Sequence, residues 1–136
     1  MKLNCRFELK SKRAIAHITL IGPFSTDNEI KLIRYFNHLC SKNSLMNFEI
    51  YAIGTFDNIK VVYFNVNPSR EMNEFRWALA RKLKSYCQFS QYDYEREYKF
   101  HATIAMKLPD EKFIDIKDFL KRKGKLNFDV TIIKIF

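Results

Sequence analysis

The 136-residue chain has only three cysteines, three glycines and three prolines, and each scarcity narrows what it can be. Cys5, Cys40 and Cys87 are odd in number and far apart, with no Cys-x-x-Cys pair and no histidine pair at ligand spacing. A disulfide framework and a structural zinc site are not indicated, and a reducing intracellular compartment is expected. No Pro-rich, Gly/Ser-rich or single-charge linker divides the sequence; the longest polar stretch, Gln91 to Glu97, is interrupted by Tyr92 and Tyr94. One cooperative domain over residues 1–136 is therefore expected. No segment approaches 18 uninterrupted apolar residues, and Met1 to Lys10 lacks the apolar centre of a signal peptide. A soluble, cytoplasmic protein with no membrane partner is expected.

What is present is a core and a charge. Hydrophobic residues make up 47 % and aromatic residues 15 % of the chain, ample for a packed interior. Lys and Arg number 24 against 15 Asp and Glu, a formal charge of +9. A surplus of that size attracts polyanions, with RNA the natural candidate. Most of these charges belong to solvated helix faces, such as Arg81, Lys82 and Lys84 or the run Lys121, Arg122, Lys123, Lys125. Net charge supports a nucleic-acid partner without locating the contact.

One tetrapeptide pattern occurs twice. His17-Ile18-Thr19-Leu20 is followed, 84 residues later, by His101-Ala102-Thr103-Ile104. Each copy lies in a stretch that alternates like a β-strand, so His and Thr two residues apart share a face. Two such strands side by side gather two imidazoles and two hydroxyls. Imidazole both accepts and donates protons near neutral pH, and a hydroxyl can hold a phosphoryl oxygen. The set suits phosphodiester chemistry without a metal, and no carboxylate or cysteine cluster accompanies either histidine.

The pattern predicts a short strand at Arg6 to Leu9 and a better one at Arg13 to Ile21, ended by Gly22-Pro23. Thr26 with Glu29 reads as a capping box for a helix to about Cys40, whose buried stripe is Ile30, Ile33, Phe36, Leu39 and Cys40. Strands at Asn47 to Phe56 and Ile59 to Val66 form a hairpin through Asp57-Asn58, a pair that tolerates positive φ. Ser69 caps a long helix with Met72, Phe75, Leu79, Leu83 and Tyr86 inward and Trp77 off the stripe. Tyr98 to Lys107 is the second motif strand, with His101, Thr103, Ala105 and Lys107 on one side. A helix from Glu111 to Arg122, a cap at Gly124 and a strand from Leu126 to Phe136 complete the chain. Strand, helix, strand thus comes after each motif as a weak internal repeat.

These residues resemble the two-histidine (2H) phosphoesterases, which include RNA 2′,3′-cyclic phosphodiesterases and 2′-5′ RNA ligases. Besides the paired motifs, the likeness takes in Gly22-Pro23-Phe24, Gly54-Thr55-Phe56 and Pro68-Ser69, and covers most of the chain. The resemblance implies an α+β fold of two pseudo-symmetric lobes, with antiparallel sheets flanking a central cleft and helices outside, each lobe offering one motif. It implies that His17 and His101 are general acid and base and that Thr19 and Thr103 hydrogen-bond the phosphate. The implied substrate is a 2′,3′-cyclic phosphate at an RNA end, opened by water to a 2′-phosphate, with 2′-5′ ligation as the reverse. Only 16 residues precede His17, where such proteins usually carry another strand and helix. A shortened member, with an exposed edge or apolar patch, is expected.

The chemistry needs one neutral imidazole and one imidazolium, and sequence does not assign them. Lys107 and Arg13, at strand ends, are candidates to reach a phosphate, and Phe24 and Tyr94 or Tyr98 to stack on a base. A solvated cation and core packing are the competing readings of these residues, and His38 reads as a surface histidine. Small cyclic nucleotide phosphates are the other enzymatic substrate class. A module that grips a nucleotide or RNA end without turnover is the rival function. No cofactor is called for, and the oligomeric state is left open.

Overall fold

The computed structural model describes residues 17–42, 45–123 and the strand Thr131–Ile133. Its elements run β1 (Ser25–Thr26), α1 (Glu29–Lys42), β2 (Met46–Phe56), β3 (Val61–Pro68), α2 (Arg70–Leu83), β4 (Cys87–Gln88), β5 (His101–Ala105), α3 (Asp110–Lys123) and β6 (Thr131–Ile133). β1 and β4 form a two-stranded antiparallel sheet, and a second sheet has the order β5-β3-β2-β6. The fold class is α+β. Arg6 to Leu9, Gly124 and most of Leu126 to Phe136 lie outside the described residues, as does Arg13 to Ala16. The rest of the first expected motif strand, residues 17–21, is irregular backbone.

Residue contacts divide the chain into two compact units. The first comprises Met1–Ile18, Ile50–Val66 and His101–Asp129. Its core is Val62, Ala105, Leu108, Phe113 and Ile116, with Ile53, Ile104, Phe119 and Leu120 against them. The hairpin between β2 and β3 turns where expected but not as expected. A 3-10 turn over Asp57–Ile59 leads into Lys60 at φ 50°, so the left-handed residue is Lys60 rather than Asp57 or Asn58. Asp57 is held elsewhere: its carboxylate accepts from the Thr55 hydroxyl at 2.9 Å and from Lys117 at 2.5 Å. Those bonds, Lys117 first, keep its carboxyl below the usual carboxylate range. Lys60 pairs with Asp110, so two ion pairs tie the turn to α3.

The second unit comprises Thr19–Glu49, Asn67–Phe100 and Val130–Phe136. The Ser69 hydroxyl accepts from the Met72 amide at 3.2 Å, the N-cap read from sequence, and Met72, Leu79 and Leu83 are buried as expected. At α1 two readings are corrected. Asn28, not Thr26, caps the helix, its side-chain oxygen accepting from the Lys31 amide at 3.0 Å. Thr26 instead donates to the Tyr86 carbonyl at 2.9 Å. The inward face of α1 is Leu32, Tyr35 and Leu39, packed with Leu79, Leu83 and Cys87. Of the expected stripe Leu39 alone packs on this cluster; Ile30, Ile33 and Phe36 are more than half exposed and Cys40 is exposed. Both stripes recur at helical spacing, so periodicity alone could not choose between them.

Candidate active site

The second motif sits on β5, antiparallel to β3. In register, His101 stands opposite Asn65, Ala102 opposite Phe64 and Thr103 opposite Tyr63; Ala105 then stands opposite Val62. One residue of β5, Ile104, is therefore extra, a β-bulge. Before the bulge, alternation puts His101, Thr103, Tyr63 and Asn65 on one face, as the sequence required of the His and Thr. Across it the alternation resets, and Ala105 joins the core with Val62 instead of continuing the His101 face.

The His101 ring is packed against two aromatic rings. Its centroid lies 5.2 Å from that of Phe56 at an interplanar angle of 86°, and 5.4 Å from that of Tyr63 at 64°. Phe56 and Tyr63 are themselves stacked, 4.2 Å apart at 28°. The Tyr63 ring is buried and occupies the space that a side chain at Gly54 would need. A Cβ there would come within 2.6 Å of the Tyr63 ring.

The first motif is not on a strand. His17 is exposed and Thr19 half-buried. The contact boundary falls between Ile18 and Thr19, so His17, His101 and Thr103 belong to the first unit and Thr19 to the second. The motifs do not divide one to each unit. The last residue of the first motif and the segment after it are hydrogen-bonded within the second unit. Arg76 of α2, 1 % exposed, donates to the carbonyls of Leu20 (3.1 Å), Glu95 and Asp93. Asp93, also buried, accepts from the Gly22 amide at 2.8 Å and the Ser90 hydroxyl at 2.5 Å. The Arg76 guanidinium lies 4.0 Å over the Tyr98 ring, whose phenol is pushed up to about 12, chiefly by burial.

A model of the 2′-5′ RNA ligase superfamily matches residues 6–136 and so spans both His-x-Thr copies. The chain belongs to the 2′-5′ RNA ligase superfamily. This is the two-histidine phosphoesterase superfamily, made of phosphoesterases and ligases, which supports an enzyme. No curated protein matches the chain.

The remaining described candidates of this superfamily member belong to both units. Lys107 is exposed, two residues past the end of β5, with φ 54°. The bulge and the strand end remove the parity that linked it to His101. Phe24 is 39 % exposed and edges an apolar groove of the second unit with Ile21, Leu32, Ile33 and Phe36. Tyr94 packs against Trp77 at 5.5 Å and Phe89 at 6.4 Å, and Tyr98 against Phe100 at 5.2 Å, so core packing accounts for much of both. Arg13 lies outside the described residues. His38 is exposed on α1. Among the described residues no helix is long and apolar enough to cross a membrane.

Sequence reading missed Arg76, Asp93 and the Phe56–Tyr63 pair. Arg76 did carry a signal, since it interrupts the apolar stripe of Met72, Leu79 and Leu83. Gly54 carried another, because a glycine inside a strand often marks the close approach of another group.

Proposed function

We propose that the chain is a metal-independent cyclic phosphodiesterase that opens 2′,3′-cyclic phosphates at RNA ends, leaving a 2′-phosphate; 2′-5′ ligation is the same ring opening with a 5′-hydroxyl in place of water, rather than its reverse. One imidazole of the pair His17 and His101 removes a proton from water as the water oxygen bonds to phosphorus. The other, as imidazolium, protonates the departing 3′ oxygen as its bond to phosphorus breaks. Thr19 and Thr103 hydrogen-bond the phosphoryl oxygens. Both proton transfers are met by side chains, so the step calls for no metal or cofactor. The carrying observation is the doubled His-x-Thr pattern in a chain that the superfamily model matches over residues 6–136. The formal charge of +9 suits an RNA partner.

The test is to incubate the protein with a nucleoside 2′,3′-cyclic phosphate and identify the product by phosphorus NMR. A 2′-phosphate that forms equally with and without chelator supports the reading. No product above that of the His17→Ala, His101→Ala double variant refutes it.

A further inference from the structure

We propose that Phe56 and Tyr63 are positioning residues for His101, and that Gly54 is glycine because this arrangement needs its empty volume. The proposal rests on the reading of His101 as a proton-transfer group. A strand side chain with two rotatable bonds can swing its ring through several orientations, yet proton transfer demands a fixed one, to within a fraction of an ångström. At His101 two rings restrict that choice. Phe56, on β2, meets the imidazole nearly perpendicular, and Tyr63, on β3, meets it at 64°. Because the two are stacked on each other, neither can rotate without displacing its partner. Ring contacts of this kind fix the plane of the imidazole; they do not decide which nitrogen carries the proton.

The stack is braced from two sides. Tyr63 is 3 % exposed and lies over Gly54, where a Cβ would come within 2.6 Å of its Cζ and 2.7 Å of its Oη. Even alanine at 54 must therefore displace the ring that is stacked on Phe56 and packed against His101. Phe56 is flanked by Thr55 and Asp57, which are hydrogen-bonded to each other, and Asp57 is tied to Lys117 of α3. Two rings thus meet the imidazole, one lying over a strand glycine and the other next in sequence to an anchored turn carboxylate.

Two variants test this, Phe56→Leu, at a half-buried position, and Gly54→Ala, which keeps both aromatic side chains but displaces Tyr63. Ring currents of Phe56 and Tyr63 act on the His101 ring protons, so NMR reads the contact without turnover. Both variants are expected to shift the His101 ring resonances while leaving those of His38 unchanged. On a nucleoside 2′,3′-cyclic phosphate, kcat is expected to fall about tenfold or more with KM within about threefold, as for a misaligned catalytic group. Phe56→Tyr, which restores the ring, is expected to recover most of the rate. If Gly54→Ala does not fold, Phe56→Leu and its rescue decide alone. Unmoved His101 resonances, or a change in KM with kcat intact, overturn the proposal. Wild-type protein that is inactive on the cyclic phosphate, yet shows resonance shifts in the variants, refutes the proposed reaction and supports the ring contacts.

Discussion

Arg76 donates to the main-chain carbonyl of Asp93, and the Asp93 carboxylate in turn holds the Gly22 amide. A buried cation and a buried anion are thereby satisfied largely through backbone groups, which ties α2 and the Gln91–Tyr94 turn to the residues just after the first motif. Taking two charges out of water is tolerable only when such bonds are made.

Arg76→Leu leaves the carbonyls of Leu20, Asp93 and Glu95 without this donor and removes a cation that interacts with the Asp93 carboxylate, so a loss of about 2–4 kcal/mol is expected in urea unfolding. Arg76→Lys is expected to recover little, because an ammonium cannot reproduce the planar fork. An unchanged midpoint in Arg76→Leu contradicts the assignment.

The orientation of α1 makes a second expectation. Leu32→Ala removes atoms packed in the Leu79, Leu83 and Cys87 cluster, and a half-buried site of this kind should cost about 1–2 kcal/mol. Ile30→Ala and Phe36→Ala act at exposed positions and should stay within about 0.5 kcal/mol. The reverse order of effects would restore the stripe that the sequence suggested.

That contrast shows what was legible in the chain. Local signals were read correctly where one physical reason dominated: the Ser69 cap, the hairpin bracketed by two strands, and the shared face of His101 and Thr103. Where two solutions were equally periodic, as with the Ile30/Ile33/Phe36 and Leu32/Tyr35/Leu39 stripes of α1, tertiary packing chose and the sequence could not. Parity arguments held only as far as the ladder was regular, and the extra residue at Ile104 ended them before Lys107. The Tyr63 ring over Gly54 joins two strands through shape alone, and Arg76 finds its carbonyls in loops. Neither relationship leaves a pattern along a single segment, although the glycine and the arginine were each out of place in theirs.

Tyr98 supplies a pH prediction. Its phenol titrates at about 12 in the folded protein against 10.0 ordinarily, chiefly because burial opposes the phenolate. The unfolded chain therefore loses this proton first, and the tyrosine's contribution is intact below about pH 10 and lost as pH rises toward 12. In alkaline unfolding experiments Tyr98→Phe should flatten the fall in stability across that window. Parallel curves for wild type and variant would contradict it.

The paired action of His17 and His101 is the central claim, and steady-state rates of the wild type, both single alanine variants and the double variant on a nucleoside 2′,3′-cyclic phosphate test it most directly. Two groups that serve one proton-transfer step fail as a unit, so each single substitution should lower kcat/KM about as far as both together. A single variant that keeps the wild-type rate, or two losses that simply multiply in the double variant, would contradict the pairing.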